Sequence, residues 1–248
     1  MDGGAVRRIA VLCAPEAGAR VFEIGAGTGA LTKALVERDA RVTAVEIDPD
    51  LVEILRARSD LARAEIVEAD ALAFDYDAAT GDESWCAAGN LPYNVATPLV
   101  LRWLGLAHPP DRIVAMLQRD VADRLVARPS TPQYGSLTVF VNYAVHVRRA
   151  FVLGPNVFYP RPKVDSAVVV MERRAEPAVA VRDRAFFLQV VRAAFAYRRK
   201  TLANSLSLAI DIERSRTQAA LASLGIDTEI RAEQLDLGEF GALADCLA

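Results

Sequence analysis

The sequence predicts an α/β protein: a parallel sheet with helices on both faces over residues 1–176, then a small all-helical domain over residues 177–248. Three observations carry that expectation. Short β-branched and apolar runs alternate with segments of helical periodicity through the first two thirds of the chain. A glycine-rich turn, Gly25-Ala26-Gly27-Thr28-Gly29, joins the first such run to the helical segment after it. After Glu176 the strand-like runs stop and only helical periodicity continues.

Taken in order, Val6 to Leu12 has the spacing of a short helix. RVFEI (20–24) reads as a buried strand that turns through the glycines into a helix from Ala30 to Glu37. RVTAVEI (41–47) is the second strand, and Pro49, suited to a helix's first turn, opens a helix that runs to Arg58. AEIVEAD (64–70) and SWCAAGN (84–90) are the third and fourth strands, the fourth leading to a helix from Thr97 to Leu106. DRIVAMLQ (111–118) is the fifth, followed by an amphipathic helix from Arg119 to about Arg128. Pro129 to Tyr134, with two prolines, is a loop. Tyr134 to Tyr143 fits helix or strand by pattern and is assigned to helix. Val145–Leu153 and Ser166–Arg173 are two further strands, with GPNVFYPRPKVD between them. Residues 175–181 serve as a hinge. Beyond it, Arg182–Tyr197, Thr201–Ile210, Thr217–Leu224 and Phe240–Leu247 are helical by period.

With 248 residues, 52% of them hydrophobic and 25% charged, the chain can bury an ordinary core, and general disorder is excluded. Cys13, Cys86 and Cys246 are scattered and the two histidines, His108 and His146, have no partner at ligand spacing, so neither a disulfide framework nor a metal site is expected. Residues 9–14, the apolar run near the start, are too short for a signal peptide's core or a membrane span, so a soluble, cytoplasmic protein is expected. The net charge of −3 hides a division. Residues 1–101 carry −8, residues 102–216 carry +10 and residues 217–248 carry −5. A basic middle attracts polyanions whatever the overall balance, though an Arg-rich solvated surface would look the same.

The chemistry concentrates at strand ends. Glu23-x-Gly25-x-Gly27-x-Gly29 lets backbone approach a ligand closely, but Gly25-x-Gly27-x-x-Ala30 also fits a dinucleotide turn, so this stretch alone is weak. Glu46, ending the second strand, would grip a ribose diol in either case, with Ile47 beside it. Asp70, ending the third strand, can accept the exocyclic amine of an adenine, with Ala71 next to it; Asp70 as a helix cap is the plainer alternative. Three strand-end acids and the glycine turn together point to S-adenosyl-L-methionine, and so to a Rossmann-like methyltransferase sheet. Asn90-Leu91-Pro92-Tyr93 then places a carboxamide, a Pro-fixed turn and an aromatic ring at the fourth strand's end. Such a pocket holds and aims a planar amine. The Asn90 oxygen and a backbone carbonyl of Leu91 or Pro92 would accept its two N–H bonds, Asn90 is also expected among the cofactor contacts, and Tyr93 would stack on the target base.

At this point the chain resembles amino-methyltransferases with the motif (D/N/S)PP(Y/F), and more narrowly the small-subunit ribosomal RNA adenine N6,N6-dimethyltransferases. The matching stretches are VFEIGAGTGALT (21–32), AVEID (44–48), EADAL (68–72), GNLPYNVATPLV (89–100), VFYPRPKVDSAVV (157–169) and AFAYRRKTLANSL (194–206), in the family's order and over nearly the whole chain. The resemblance implies dimethylation of N6 on two adjacent adenosines in the 3′-terminal hairpin of small-subunit rRNA, on the immature 30S subunit. No membrane partner is expected, and since the composition demands no oligomer, a monomer is expected. The resemblance also implies that Phe158 closes over the flipped base, and that Arg161, Lys163, Arg198, Arg199 and Lys200 neutralise phosphates; a loop anchor for Phe158 is the alternative reading. Family members normally begin with a basic stretch containing G-Q-(N/H)-F-L, which folds over the cofactor. This sequence starts at MDGGAVRRIA, inside the helix that follows, so weak cofactor binding is expected. Three other functions stand beside the leading one: an RNA-binding assembly factor with weak or lost methylation, a large-subunit rRNA dimethylase, and a DNA adenine methyltransferase. The PKVDS loop and RRKTL helix start disfavour the second, and the lack of a separate base-reading domain disfavours the third.

Overall fold

The computed structural model describes residues 3–157 and 164–248, apart from the side chains at 93 and 94. Helix α1 (Gly3–Cys13) precedes β1 (Arg20–Ile24), α2 (Ala30–Val36), β2 (Arg41–Glu46), α3 (Pro49–Ala57) and β3 (Glu65–Glu68). A short helix, α4 (Tyr76–Thr80), follows; its five residues are too few to show a period, and the sequence reading missed it. Next come β4 (Cys86–Asn90), α5 (Tyr93–Trp103), β5 (Arg112–Gln118), α6 (Arg119–Leu125), α7 (Ser136–Ala144), β6 (Val145–Leu153) and β7 (Ser166–Arg173). Helices α8 (Arg184–Ala194), α9 (Leu202–Ile210), α10 (Arg214–Ser223) and α11 (Leu237–Leu247) complete the chain.

The seven strands form one sheet in the order β3-β2-β1-β4-β5-β7-β6. β1 to β5 pair in parallel, as their alternation with helices predicts, and β7 lies antiparallel against β5, Arg112 opposite Glu172, so the sheet as a whole is mixed. The physical reason is connectivity. Among the described residues no crossover helix lies between β6 and β7, and a parallel return needs one.

The strand period of two sends alternate residues of β1 to opposite layers. Val21 packs with Ile9 and Ala10 of α1 and Leu31 and Leu35 of α2. Phe22 faces the other way, into an aromatic cluster with Phe74, Tyr76 and Trp85 at ring separations of 6.0, 6.0 and 5.3 Å. Tyr76 stacks on Trp85 and meets Trp103 of α5 edge-on, and all three are buried. Helices therefore cover both faces, as the alternation of strand and helix required. Local chemistry fixes their starts. Asp48 accepts the N–H of Asp50 ahead of Pro49 in α3, and Asp236 and Glu239 form a reciprocal capping box on α11.

The chain divides into two compact units, residues 1–122 with 146–173 and residues 123–145 with 174–248. Where a single cut is expected near residue 176, the chain passes between the units three times, after residues 122, 145 and 173, because the segment around α7 shares the core of the C-terminal helices. Tyr143 lies 4.9 Å from Phe187 ring to ring, Tyr134 donates to the Leu235 carbonyl at 2.9 Å, and Ser130 N–H donates to the Glu233 carbonyl. The α8 residues Phe187, Val190, Val191 and Ala194 supply the buried stripe of that core. This division also splits the basic middle of the sequence. The second unit carries 12 basic and 11 acidic side chains, so its net charge is close to zero and only a local basic cluster could attract polyanions there.

Candidate active site

Because β1 to β5 are parallel, their C-terminal ends share one edge. Strand order reverses there: β2 and β3 lie to one side of β1, β4 and β5 to the other. Such a reversal opens a crevice above the two central strands. The register places Ile24 beside both Val45 and Gly89, so the glycine turn leaves β1 between the tip carrying Glu46 and the tip carrying Asn90.

Gly25, Gly27 and Gly29 all have positive φ, at 68°, 59° and 81°. At Gly29 the space is as demanding as the angle, since a Cβ would lie 2.8 Å from the side chains of Leu55 and Leu61. The turn is braced from outside. Arg58 donates from Nη1 to the Thr28 carbonyl while its Nε and Nη2 hold Asp60 at 3.0 and 2.8 Å. The Arg58 guanidinium, helped by Lys33 at 3.2 Å, holds the Asp60 carboxyl well below the usual carboxylate range.

Glu46 is 5% exposed and turned into the protein. Its Oε2 accepts the Gly27 N–H at 2.8 Å, and its Oε1 accepts those of Ile47 and Asp48 at 2.9 and 3.2 Å. Three of roughly four acceptor positions are therefore already taken, one tying the glycine turn to the β2 tip and two holding the backbone just after it, which leaves about one for the expected ribose contact. Ile47 next to it is 65% exposed, a bare apolar surface at the strand tip.

β3 stops at Glu68, so Asp70 lies in the turn beyond the strand and not at its end. Its Oδ1 accepts the Leu72 N–H at 2.8 Å and its carbonyl accepts from Ala73 and Phe74, a cap on an irregular turn. The capping alternative thus holds for one oxygen, while the carboxylate as a whole stays exposed. The Ala71 carbonyl accepts from Arg102 Nη1 at 2.9 Å and the Tyr76 hydroxyl at 3.1 Å. Among the described residues nothing accepts the Ala71 N–H.

Asn90 is exposed at the end of β4, paired with Met116, and its carboxamide has no hydrogen-bond partner among the described residues. Leu91 anchors the corner: its side chain is buried and its N–H donates to the Met116 carbonyl at 3.1 Å. Helix α5 begins at Tyr93, four residues before the expected Thr97, because the Pro92 carbonyl accepts the N–H groups of Val95 and Ala96. That commitment removes Pro92 as the expected acceptor and leaves the Leu91 carbonyl as the backbone candidate. The Tyr93 side chain lies outside the described residues.

A Cβ at Gly89 would stand 2.5 Å from the Ile24 carbonyl oxygen of β1. Gly89→Ala must therefore push β4 off β1 just before Asn90. We expect it to cost about 1–3 kcal/mol of stability, seen in denaturant midpoints, and to depress activity beyond that. A variant of wild-type stability and activity would show that the two strands yield freely there.

Glu23, placed in the cofactor set by sequence, is 2% exposed and faces Thr32 of α2, beneath the turn. Burial pushes its carboxyl up to about 8, with the Thr32 hydroxyl and N–H opposing the rise. Its Oε2 and the Thr32 Oγ1 are nevertheless both buried without a hydrogen-bond partner.

Of the expected RNA-contacting residues, Phe158, Arg161 and Lys163 lie outside the described residues. Arg198, Arg199 and Lys200 are exposed in the turn between α8 and α9 of the second unit, and Arg198 donates to the Pro132 carbonyl at 3.2 Å. Sequence reasoning missed Arg58, Tyr76 and Arg102. Each acts on a backbone carbonyl or a loop distant in sequence, and no motif spacing records that.

The edge thus offers a cradle of positive-φ glycines, one remaining carboxylate position on Glu46, the apolar Ile47, and an exposed carboxylate beside an open N–H at Asp70 and Ala71. An acceptor next to a donor matches the amine edge of adenine, so these residues fit a nucleoside-bearing cofactor. Among the described residues no helix is long and apolar enough to cross a membrane.

The model of the family described as ribosomal RNA adenine dimethylase matches residues 2–248. The chain is 42% identical to the ribosomal RNA small subunit methyltransferase A of Hahella chejuensis, over 98% of this chain and 88% of that one. It is 42% identical to the protein of the same name from Geobacter metallireducens, over 98% and 90%. Among solved structures, the 23S rRNA methyltransferase ErmE superposes with a TM-score of 0.75 at 27% identity, covering 100% of this chain and 98% of that one. A dimethyladenosine transferase from Plasmodium falciparum shares the fold, with a TM-score of 0.81 at 22% identity over 98% and 95%.

Proposed function

The chain belongs to the ribosomal RNA adenine dimethylase family, and from that premise we propose that it dimethylates N6 of two adjacent adenosines in the 3′-terminal hairpin of small-subunit rRNA. Its substrate is the immature 30S subunit in the cytoplasm, it acts as a monomer, and the helices of the second unit contact RNA. S-adenosyl-L-methionine is the methyl donor, and when bound it supplies a methyl group already activated on a sulfonium. The protein therefore has to hold, aim and desolvate. One observation carries this reading: Asn90 stands exposed and without an internal partner on the tip adjoining the glycine turn.

The residues divide the work. The glycine turn, Glu46, Ile47, Asp70 and Ala71 hold the cofactor, with Glu23 supporting the turn from below. The Asn90 side-chain oxygen and the Leu91 carbonyl accept the two N–H bonds of the adenine amine and turn its nitrogen lone pair outward from the ring. Oriented acceptors stabilise the positive charge that grows on that nitrogen during transfer, and they need no reorganisation to do so. The extra proton leaves to water. Tyr93 and Phe158 stack on the extruded base, and Arg161, Lys163, Arg198, Arg199 and Lys200 meet phosphates. Identity of 42% to proteins named for the small subunit, against 27% to one named for 23S rRNA, supports the choice of subunit.

The test is methyl incorporation from labelled cofactor into small subunits that lack the modification, with Asn90→Ala as the control. Two dimethylated adenosines in one hairpin with wild type, and none with the variant, is the expected result. Tight binding of subunits without incorporation would replace the enzyme with an assembly factor, and labelling of 23S rRNA would reassign the substrate.

A further inference from the structure

The geometry points to Arg102 as a positioning residue that shapes the adenine-recognising turn, and with Tyr76 sets the protein's preference for adenine over hypoxanthine. This inference rests on the reading of Asp70 and Ala71 as the adenine-edge contacts.

Arg102 sits in the last turn of α5, the helix that starts directly after Asn90-Leu91-Pro92. It reaches across to the loop after β3, donating from Nη1 to the Ala71 carbonyl at 2.9 Å and from Nη2 to the Phe74 carbonyl at 2.7 Å. Its guanidinium carbon lies 5.2 Å from the centroid of the Tyr76 ring, and the Tyr76 hydroxyl donates to the same Ala71 carbonyl at 3.1 Å. Tyr76 is itself fixed, fully buried between Trp85 and Trp103.

The consequence is a peptide plane locked on both sides. The carbonyl of the Ala71–Leu72 peptide takes two donors, and its N–H, on Leu72, is held by Asp70 Oδ1 at 2.8 Å. Two groups remain free to face outward: the rest of the exposed Asp70 carboxylate and the Ala71 N–H. Adenine presents an amine donor and a ring-nitrogen acceptor to that pair. Hypoxanthine presents a carbonyl and a ring N–H, and both meet the wrong partner. A lysine in place of Arg102 would keep the charge but lose the rigid planar fork that spans Ala71 and Phe74.

The experiment measures the affinities of S-adenosyl-L-homocysteine and S-inosyl-L-homocysteine calorimetrically, for wild type, Asp70→Asn, Arg102→Gln and Tyr76→Phe. Wild type should favour the adenine ligand by roughly tenfold or more, the scale of one mispaired hydrogen bond to a charged group. Arg102→Gln and Tyr76→Phe should each shrink that ratio severalfold, chiefly by weakening the adenine ligand. Tyr76→Phe keeps the buried ring, so it reports on the bond to Ala71 even if Arg102→Gln folds poorly. A ratio that collapses in Asp70→Asn but stays at the wild-type value in Arg102→Gln and Tyr76→Phe overturns the role of Arg102. A ratio unchanged in Asp70→Asn overturns the adenine-edge reading itself, and the inference with it.

Discussion

Replacing Asn90 by alanine is expected to lower the single-turnover rate of methyl transfer by roughly 10²–10³-fold, while the cofactor dissociation constant moves only a few-fold. The split follows from the geometry. The Asn90 amide is exposed at the strand tip, and Leu91 and the β4–β5 pairing position the corner whether or not that amide is present. The variant thus keeps its fold and its glycine turn but loses an acceptor aimed at charge that develops only during transfer. A loss of that kind amounts to about 2.7–4 kcal/mol at the transition state and little in the ground state. Asn90→Asp retains an acceptor oxygen and should fall between wild type and alanine. Equal loss in both variants, or a cofactor affinity that falls in step with the rate, would mean that Asn90 supports the pocket without acting on the amine.

The strand tips were legible because their signals are local. A glycine turn after β1, an acid at the end of β2 and a carboxamide before a proline each announce themselves within a few residues, and the parallel order of β1 to β5 follows from the intervening helices. What those groups do to one another was not legible. Glu46 reads as a ligand for sugar hydroxyls until the fold brings the Gly27 N–H to 2.8 Å from it. Pro92 reads as a free acceptor until α5 starts earlier than its hydrophobic period suggests and takes the carbonyl. The antiparallel pairing of β7 on β5 was not legible, because it joins strands far apart in sequence and leaves no local signal. The regrouping of residues 123–145 with the C-terminal helices depends on contacts such as Tyr134 to Leu235, about a hundred residues apart, which pattern reading along the chain does not see.

Glu23→Gln is expected to remove a large pH dependence from the stability of the fold. Its carboxyl ionises near the ordinary value of 4.5 in the unfolded chain but is pushed up to about 8 in the folded protein, chiefly by burial. Between those two values the folded state keeps a proton that the unfolded chain has lost. Stability must therefore fall as pH rises through that window, by about 1.4 kcal/mol per pH unit, and level off above the folded value. Across the window the loss comes to roughly 4–5 kcal/mol, a large share of a typical folding free energy. Glu23 Oε2 is buried without a hydrogen-bond partner, so nothing offsets the cost of a charge on that oxygen. Glutamine has nearly the same shape and carries no charge. Denaturant titrations of both proteins from pH 5 to 9 should give nearly equal stabilities at the acid end and a widening advantage for the variant toward pH 8. Parallel curves would require the carboxylate to be ionised and compensated in the folded state. The buried acid at the base of the turn would then be a charged anchor for the cofactor edge instead of a neutral support.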